Sequence, residues 1–300
     1  MEPSCFVWNV DPILFSLGPL TIRWYGLMFS MVFLFGYYML AWQFRRAPQP
    51  DYYLMKIVIY LFLGVLLGSY FGHRIFYETH RFFTDPLSTM SFKRGISGLS
   101  SHGATLGIII SILLFHRRSR IRILELMDRF TFSAAGGATL VRIGNLMNSE
   151  IVGRKTDSAL AVCFPRFDHG QMIPRYPSQV FEIAIGITVL IILLIVDRAA
   201  GREKRPLGLL AGTFLSSYFF MRFFVEFFKE YQTLPTSIPL TMGQFLSIPF
   251  FLVGVTMIVV SLKKRLPAAV PVPDPEAKPE PTPAPKAKKQ GKKKSGKKKK

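Results

Sequence analysis

The stretch FTFSAAGGATLVRIGNLMNSE, residues 130–150, decides how the chain is read. Its first half is small and apolar enough to lie in a membrane. Its second half sets Arg142, Asn145, Asn148 and Glu150 close together. Such side chains are costly in lipid, so where they occur they mark a site. Across the 300 residues, 50% are hydrophobic and 28 are Phe. A soluble chain has no use for so many long apolar runs, and the composition points to an integral membrane protein.

Working outward, seven stretches approach the ~20 residues needed to cross a hydrocarbon core of ~30 Å. They lie near 20–42, 57–77, 97–115, 130–147, 178–196, 207–228 and 241–262. The expected fold is an all-α integral membrane protein with about seven transmembrane helices, forming one catalytic domain over residues 1–262. Seven spans put the two termini on opposite sides, and basic residues select which is which. Connections 43–56, 116–129 and 197–205 carry 12 Lys and Arg, against 8 in 79–96, 149–177 and 229–240. The first 19 residues carry none, whereas 263–300 carry 14. The N-terminus is therefore expected outside and the C-terminus in the cytoplasm. The longest connection, 149–177, becomes a small external head segment. The first residues lack the basic start of a cleaved signal peptide. Cys5 and Cys163 then share the outer side, where a disulfide and two separate thiols both fit the sequence.

Residues 263–300 are rich in Pro, Ala and Lys and hold 3 acidic residues. They cannot build a core, which predicts a disordered cytoplasmic tail. The plain reading is a solvated arm, and the sharper one is attraction to an anionic leaflet. The tail has neither aromatics nor a motif for nucleic acid, and no nucleic-acid partner is expected.

Four polar clusters lie in or beside the spans. In the opening stretch, a continuous helix would put Arg142, Asn145 and Ser149 on one face. Gly144 would let a backbone or headgroup approach. In YFFMRFFVEFFKE (218–230), Tyr218, Arg222 and Glu226 follow a four-residue spacing that predicts an Arg222–Glu226 pair. That pair is either a structural ion pair or an anion-binding arginine held by its carboxylate. GLSSHGATLG (98–107) sets His102 among small residues at a helix start, as a structural histidine or a general base. IRWYGL (22–27) carries Arg23, Trp24 and Tyr25, which suit an interfacial belt. Arg74 and Glu78 read as a structural pair, and Ser178, Gln179 and Glu182 as possible polar contacts opening the fifth span. The expected topology gathers these clusters near the outer leaflet. A transferase there has no ATP and needs a donor with its own leaving group, as a phospholipid has. No Cys/His spacing suggests a metal, and no cofactor is expected.

These motifs, in this order, resemble those of the prolipoprotein diacylglyceryl transferases of bacterial inner membranes. That family carries G-R-x-G-N-F-x-N-x-E-x-x-G, which here reads VRIGNLMNSEIVG at 141–153. IRWYGL, GLSSHGATLG, YPSQVFE (176–182), RFFVEFF (222–228) and MGQFLSIP (242–249) match as well, so the resemblance spans roughly residues 8–262. It departs at Val141, Leu146, Ala104, Tyr176 and Phe181, where the family usually has Gly, Phe, Gly, His and Tyr. The resemblance implies transfer of the diacylglyceryl group of phosphatidylglycerol to the lipobox cysteine of a preprolipoprotein signal peptide. A thioether forms and glycerol 1-phosphate leaves. It implies a multi-pass protein of the bacterial inner membrane, its active site toward the outer leaflet, in contact with membrane lipids. Arg142 would bind the donor phosphate, Asn145 and Glu150 would complete the headgroup site, and Arg222, held by Glu226 beside Tyr218, would be the second phosphate contact or a gate residue. His102 would deprotonate the acceptor thiol or assist it, and Tyr25 would orient the headgroup. Three other readings share some of these features, and a lipid-binding scaffold without chemistry would fit the same charges. A transporter would also bury Arg and Glu, but the sequence shows no internal repeat. A CDP-lipid phosphotransferase would need an aspartate cluster, of which DRAAGREKR (197–205) is only a faint echo.

Overall fold

The computed structural model describes residues 5–85, 100–230, 240–264 and 266–272. Among the described residues, seven long helices lie over the seven apolar stretches. They are α1 (Trp24–Arg45), α2 (Tyr52–Tyr77), α4 (Ser101–Ser119), α5 (Ile123–Met147), α6 (Ser178–Ala199), α7 (Leu209–Val225) and α8 (Met242–Lys263), with a short α3 (Thr79–Thr84) after α2. By length and composition, α1, α2, α6 and α8 are apolar enough to cross a membrane. Large apolar residues such as Leu34, Phe62, Ile109, Ile191 and Leu252 point outward. An outward apolar belt of this kind suits lipid as the neighbour.

Helix α5 is the most enclosed, and polar residues at its start are buried rather than exposed. The connection expected at 116–129 is therefore shorter than its charge suggested. Arg129 bonds Glu125 at 2.8 Å and Glu203 at 3.1 Å. Asp128 accepts the N–H groups of Gly208 and Ala211, each at 2.8 Å, and so caps the start of α7 from another helix. This satisfies donors that a helix start leaves unpaired.

Small residues set the helix spacing. Gly64, Gly68 and Gly72 of α2 face Gly103, Gly107 and Ser111 of α4. A Cβ on Gly68 would collide with the Gly103 carbonyl oxygen, and one on Gly107 with that of Gly64. The Ser111 hydroxyl donates to the Tyr60 carbonyl at 2.7 Å across the pair. Close backbone approach of this kind drives helix association where lipid gives no hydrophobic push. The smallness around His102 thus serves helix packing.

The head is not purely helical. Strand β1 (Phe6–Val7) pairs in parallel with β4 (Val162–Cys163), which pairs antiparallel with β5 (Pro174–Arg175). Strands β2 (Ile13–Leu17) and β3 (Leu20–Arg23) form a hairpin leading into α1. Cys5 and Cys163 are joined in a disulfide, which settles the alternative the sequence left open. Arg175 ties the head together, bonding Asp168 at 2.7 Å, Glu230 at 2.6 Å and the Gly153 carbonyl at 3.3 Å. The Asp168 hydrogen bond foremost raises the pKa of this guanidinium and keeps it charged despite partial burial.

The tail begins later than residue 263. Helix α8 runs through Lys263, and the stretch 266–272 lies against the bundle, where Gln49 donates to the Val270 carbonyl at 2.8 Å and accepts from Val272 N–H at 3.1 Å. The expected disorder of residues 273–300 concerns residues outside those described, as do Gly98 and Leu99 of the histidine motif.

Gly68→Val and Gly107→Val are each expected to cost more than about 3 kcal/mol, because a backbone carbonyl cannot step aside. Thermal unfolding of the purified protein checks this. Gly36→Ala, whose nearest neighbour would be the Ser133 Cβ at 3.9 Å, should leave the midpoint unchanged.

Candidate functional site

The opening motif does not continue as a helix. Helix α5 ends at Met147, and Ser149 and Ile151 adopt left-handed φ values of 54° and 56°. Ser149 therefore leaves the Arg142–Asn145 face, and the chain doubles back. The turn returns the Glu150 carboxylate to its own helix end. Asn145 donates to it at 3.3 Å and Asn148 at 3.1 Å, while Asn145 Oδ1 accepts from Arg142 at 3.1 Å. The start of α6 fixes the turn from outside, since Ser178 donates to the Ile151 carbonyl at 2.7 Å and Gln179 to that of Glu150 at 2.6 Å. The residue that uses the space at Gly144 is Tyr25. Its ring would lie 3.0 Å from an added Cβ, and it sits within electrostatic reach of Glu150 and Arg142.

The centre of the cluster is Glu182, one turn into α6, with a side chain only 3% exposed. Arg142 Nε lies 3.0 Å from its Oε2, and Arg222 Nη1 lies 3.1 Å from its Oε1. Lys229 Nζ approaches Oε1 at 3.6 Å. The i,i+4 pair expected between Arg222 and Glu226 is the weaker contact, at 4.0 Å. The physical reason is local. At Glu226 the helix tightens into a 3-10 turn (Glu226–Phe228), and the carboxylate pairs with Lys229 at 3.3 Å. Gly243 of α8 leaves room for that carboxylate, where a Cβ would collide with it. Tyr218 lies one turn before Arg222 and within hydrogen-bonding reach of its guanidinium.

Sequence reading noted Glu182 only as a possible polar contact and missed Lys229. The four-residue spacing pointed to Glu226, whereas Glu182 is 40 residues from Arg222 in the chain. The signal available was Glu182 one turn after Ser178 and Gln179, on the same buried stripe. His102 is not drawn into this network. It lies exposed at the start of α4, and among the described residues no hydrogen bond or ion pair links it to the cluster. Arg74 lies over the ring of Tyr70 at 3.4 Å, whereas Glu78 pairs with His73 at 3.7 Å.

Two of the motif departures touch each other. Tyr176 and Phe181 pack against Phe228 at ring separations of 5.1 and 5.5 Å and lie 6.4 Å from each other, forming one aromatic cluster. The last glycine of the motif, Gly153, sits where a Cβ would strike the carbonyls of Tyr176 and Phe228. It brings the motif, the head and the end of α7 together.

Chemically, the arrangement offers guanidinium donors to an anion. Each arginine has five N–H donors in a planar fork. Glu182 and Asn145 occupy some of them, and the Arg142 and Arg222 side chains keep 17% and 22% exposure. Around Glu150, Asn148 Oδ1, Ser149 Oγ and Gln179 Oε1 are buried and have no hydrogen-bond partner among the described residues. These suit the hydroxyl groups of a ligand, since buried polar atoms are rarely left unpaired.

Apolar helices enclosing paired arginines and carboxylates define a helical membrane protein with a buried cluster of charged side chains. The family model described as prolipoprotein diacylglyceryl transferase matches residues 12–260, and the chain belongs to that family. It is 35% identical over 260 residues to a phosphatidylglycerol–prolipoprotein diacylglyceryl transferase of Tolumonas auensis, covering 86% of this chain and 98% of that protein. The protein of the same name from Chloroherpeton thalassium is 37% identical over 267 residues, covering 88% and 97%. That from Vibrio cholerae is 37% identical over 262 residues, covering 86% and 94%.

Glu182→Gln is expected to lower kcat/KM for the donor lipid by about a hundredfold or more, because two arginines lose one buried partner. Glu226→Gln should cost less, about tenfold. Steady-state kinetics of the two variants side by side checks the order, and an equal or reversed loss would contradict it.

Proposed function

We propose that this chain transfers the diacylglyceryl group of phosphatidylglycerol to the lipobox cysteine thiol of a preprolipoprotein. The observation that carries the reading is the pairing of Arg142 and Arg222, from different helices, on the single buried carboxylate of Glu182. This holds two guanidinium forks side by side where one phosphate diester can bridge them. The thiolate sulfur attacks the glyceryl carbon that bears the phosphate ester. The carbon–oxygen bond breaks as the carbon–sulfur bond forms, and glycerol 1-phosphate leaves with the electron pair. Charge grows on the departing phosphate, where preorganised arginines stabilise it.

Asn145 and Glu150 face the headgroup, and the unpartnered acceptors beside them fit its glycerol hydroxyls. Tyr25 orients the headgroup against Arg142. Tyr218 and Glu226 hold Arg222. His102 accepts the thiol proton as the acceptor peptide binds. The lack of a hydrogen bond or ion pair between it and the arginine cluster among the described residues supports a role on the acceptor side. A free cysteine has a pKa of ~8.5, so modest assistance yields a useful thiolate fraction.

The membrane arrangement proposed is seven spans in a bacterial inner membrane, N-terminus outside, with the site toward the outer leaflet. Seven long helices and the uneven spread of Lys and Arg support it. The Cys5–Cys163 disulfide supports an oxidising side for the head. Residues 273–300 are proposed as a disordered cytoplasmic arm.

The test uses vesicles containing the protein, phosphatidylglycerol labelled in its diacylglyceryl part, and a lipobox peptide. Label should reach the peptide only when its cysteine is present. Arg142→Ala should remove it by at least about a thousandfold, and His102→Gln should lose most of it with normal membrane insertion. No transfer by well-folded protein would refute the reading, and near-normal activity of the His102 variant would remove that residue's role.

A further inference from the structure

The segment before α1 is tied to the site at two places. Cys5 is bonded to Cys163, with Cα atoms 5.7 Å apart. Phe6 and Val7 pair with Val162 and Cys163, and Trp8 N–H donates to the Cys163 carbonyl at 2.9 Å. The Trp8 indole donates from Nε1 to the Leu146 carbonyl at 2.9 Å. Leu146 lies inside the arginine–glutamate motif, next to Asn145. The same carbonyl accepts Ser149 N–H at 3.0 Å, the bond that opens the left-handed turn carrying Glu150. Further along, Trp24 N–H donates to the Pro12 carbonyl at 3.0 Å, which delivers Tyr25 to the same place. One strap therefore joins the head, the end of α5 and the start of α1.

A two-residue strand and one indole bond cannot hold such a strap alone. The disulfide can, because it closes a separation of 158 residues and keeps Trp8 at high effective concentration beside Leu146. Cys163 is fully buried, whereas Cys5 is partly exposed and open to a reductant.

We propose that Cys5–Trp8 is a redox-closed strap and that Trp8 is a positioning residue for donor binding. When the disulfide is closed, the indole pins the turn that presents Glu150 to the headgroup. When a dithiol reductant opens it, the S–S bond is replaced by two cysteine thiols while the reductant closes to its own disulfide. The strap then frays and the Glu150 turn loosens. This inference rests on the proposed transferase reading and on the orientation that places the head outside.

The experiment measures kcat and KM for phosphatidylglycerol with the full-length protein in vesicles, before and after dithiothreitol. The reduced protein, the Cys5→Ser/Cys163→Ser variant and the Trp8→Phe variant should each show KM raised about threefold to tenfold, the range for one lost hydrogen bond. Their kcat should change less than about twofold. Trp8→Phe keeps the disulfide, so reductant should shift its KM no further, a dependence that general destabilisation would not give. A fall in kcat that tracks the loss of folded protein would overturn the proposal. So would equal sensitivity of wild type and Trp8→Phe to reductant. Maleimide labelling of native membranes separates the failures. Free thiols there would overturn the strap through the orientation, whereas a closed disulfide with an unchanged KM would overturn the strap and leave the transferase reading intact.

Discussion

One buried carboxylate facing three cations is the interaction on which the rest depends. Glu182 draws Arg142 from α5, Arg222 from α7 and Lys229 from the turn after it to a single point. Buried ion pairs repay their desolvation only when the geometry is good and the remaining hydrogen-bonding capacity is used. Here it is used. Arg142 also bonds Asn145, which bonds Glu150, whose backbone is held by Gln179. The three acidic residues, Glu150, Glu182 and Glu226, balance the three basic ones. By formal charge the cluster is balanced, which lowers the cost of enclosing it. Both arginine side chains remain partly exposed.

Such a cluster needs walls of protein, and small residues build them. Gly144 admits the Tyr25 ring, Gly243 admits the Glu226 carboxylate, and Gly153 admits two backbone carbonyls. The glycine faces of α2 and α4 make that helix pair compact. Close packing and polar chemistry are thus two uses of the same sequence feature. It explains why glycines stand within or beside the charged motifs.

Much of the fold was legible because helix-length apolar runs announce themselves. The limits fell where tertiary contacts override local rules. Helix α5 reaches back to Ile123 because Glu125, Asp128 and Arg129 find partners on other elements. The pair of Arg222 with Glu226 followed from spacing. The shorter contact is with Glu182, from another helix. The disulfide joins residues too far apart for the sequence to pair them. The stretch 266–272 looked like free tail because its anchor, the side chain of Gln49, lies more than 200 residues away, with |i−j| of 221 and 223 for its two bonds. The motif residues Arg142, Asn145, Asn148 and Glu150, expected together from the sequence, do lie together at the end of α5. Their turn was not expected, since left-handed φ at Ser149 and Ile151 leaves no mark on residue types that ordinarily avoid it.

The central claim is that Glu182 makes Arg142 and Arg222 act as one phosphate clamp. A double-mutant cycle tests it most directly. Arg142→Lys and Arg222→Lys would be measured singly and together by kcat/KM for phosphatidylglycerol, with Glu182 intact and in the Glu182→Gln background. The account expects a coupling of at least about 1 kcal/mol between the arginines when Glu182 is present, and a value near zero when it is not. Equal coupling in both backgrounds, or none in either, would contradict it.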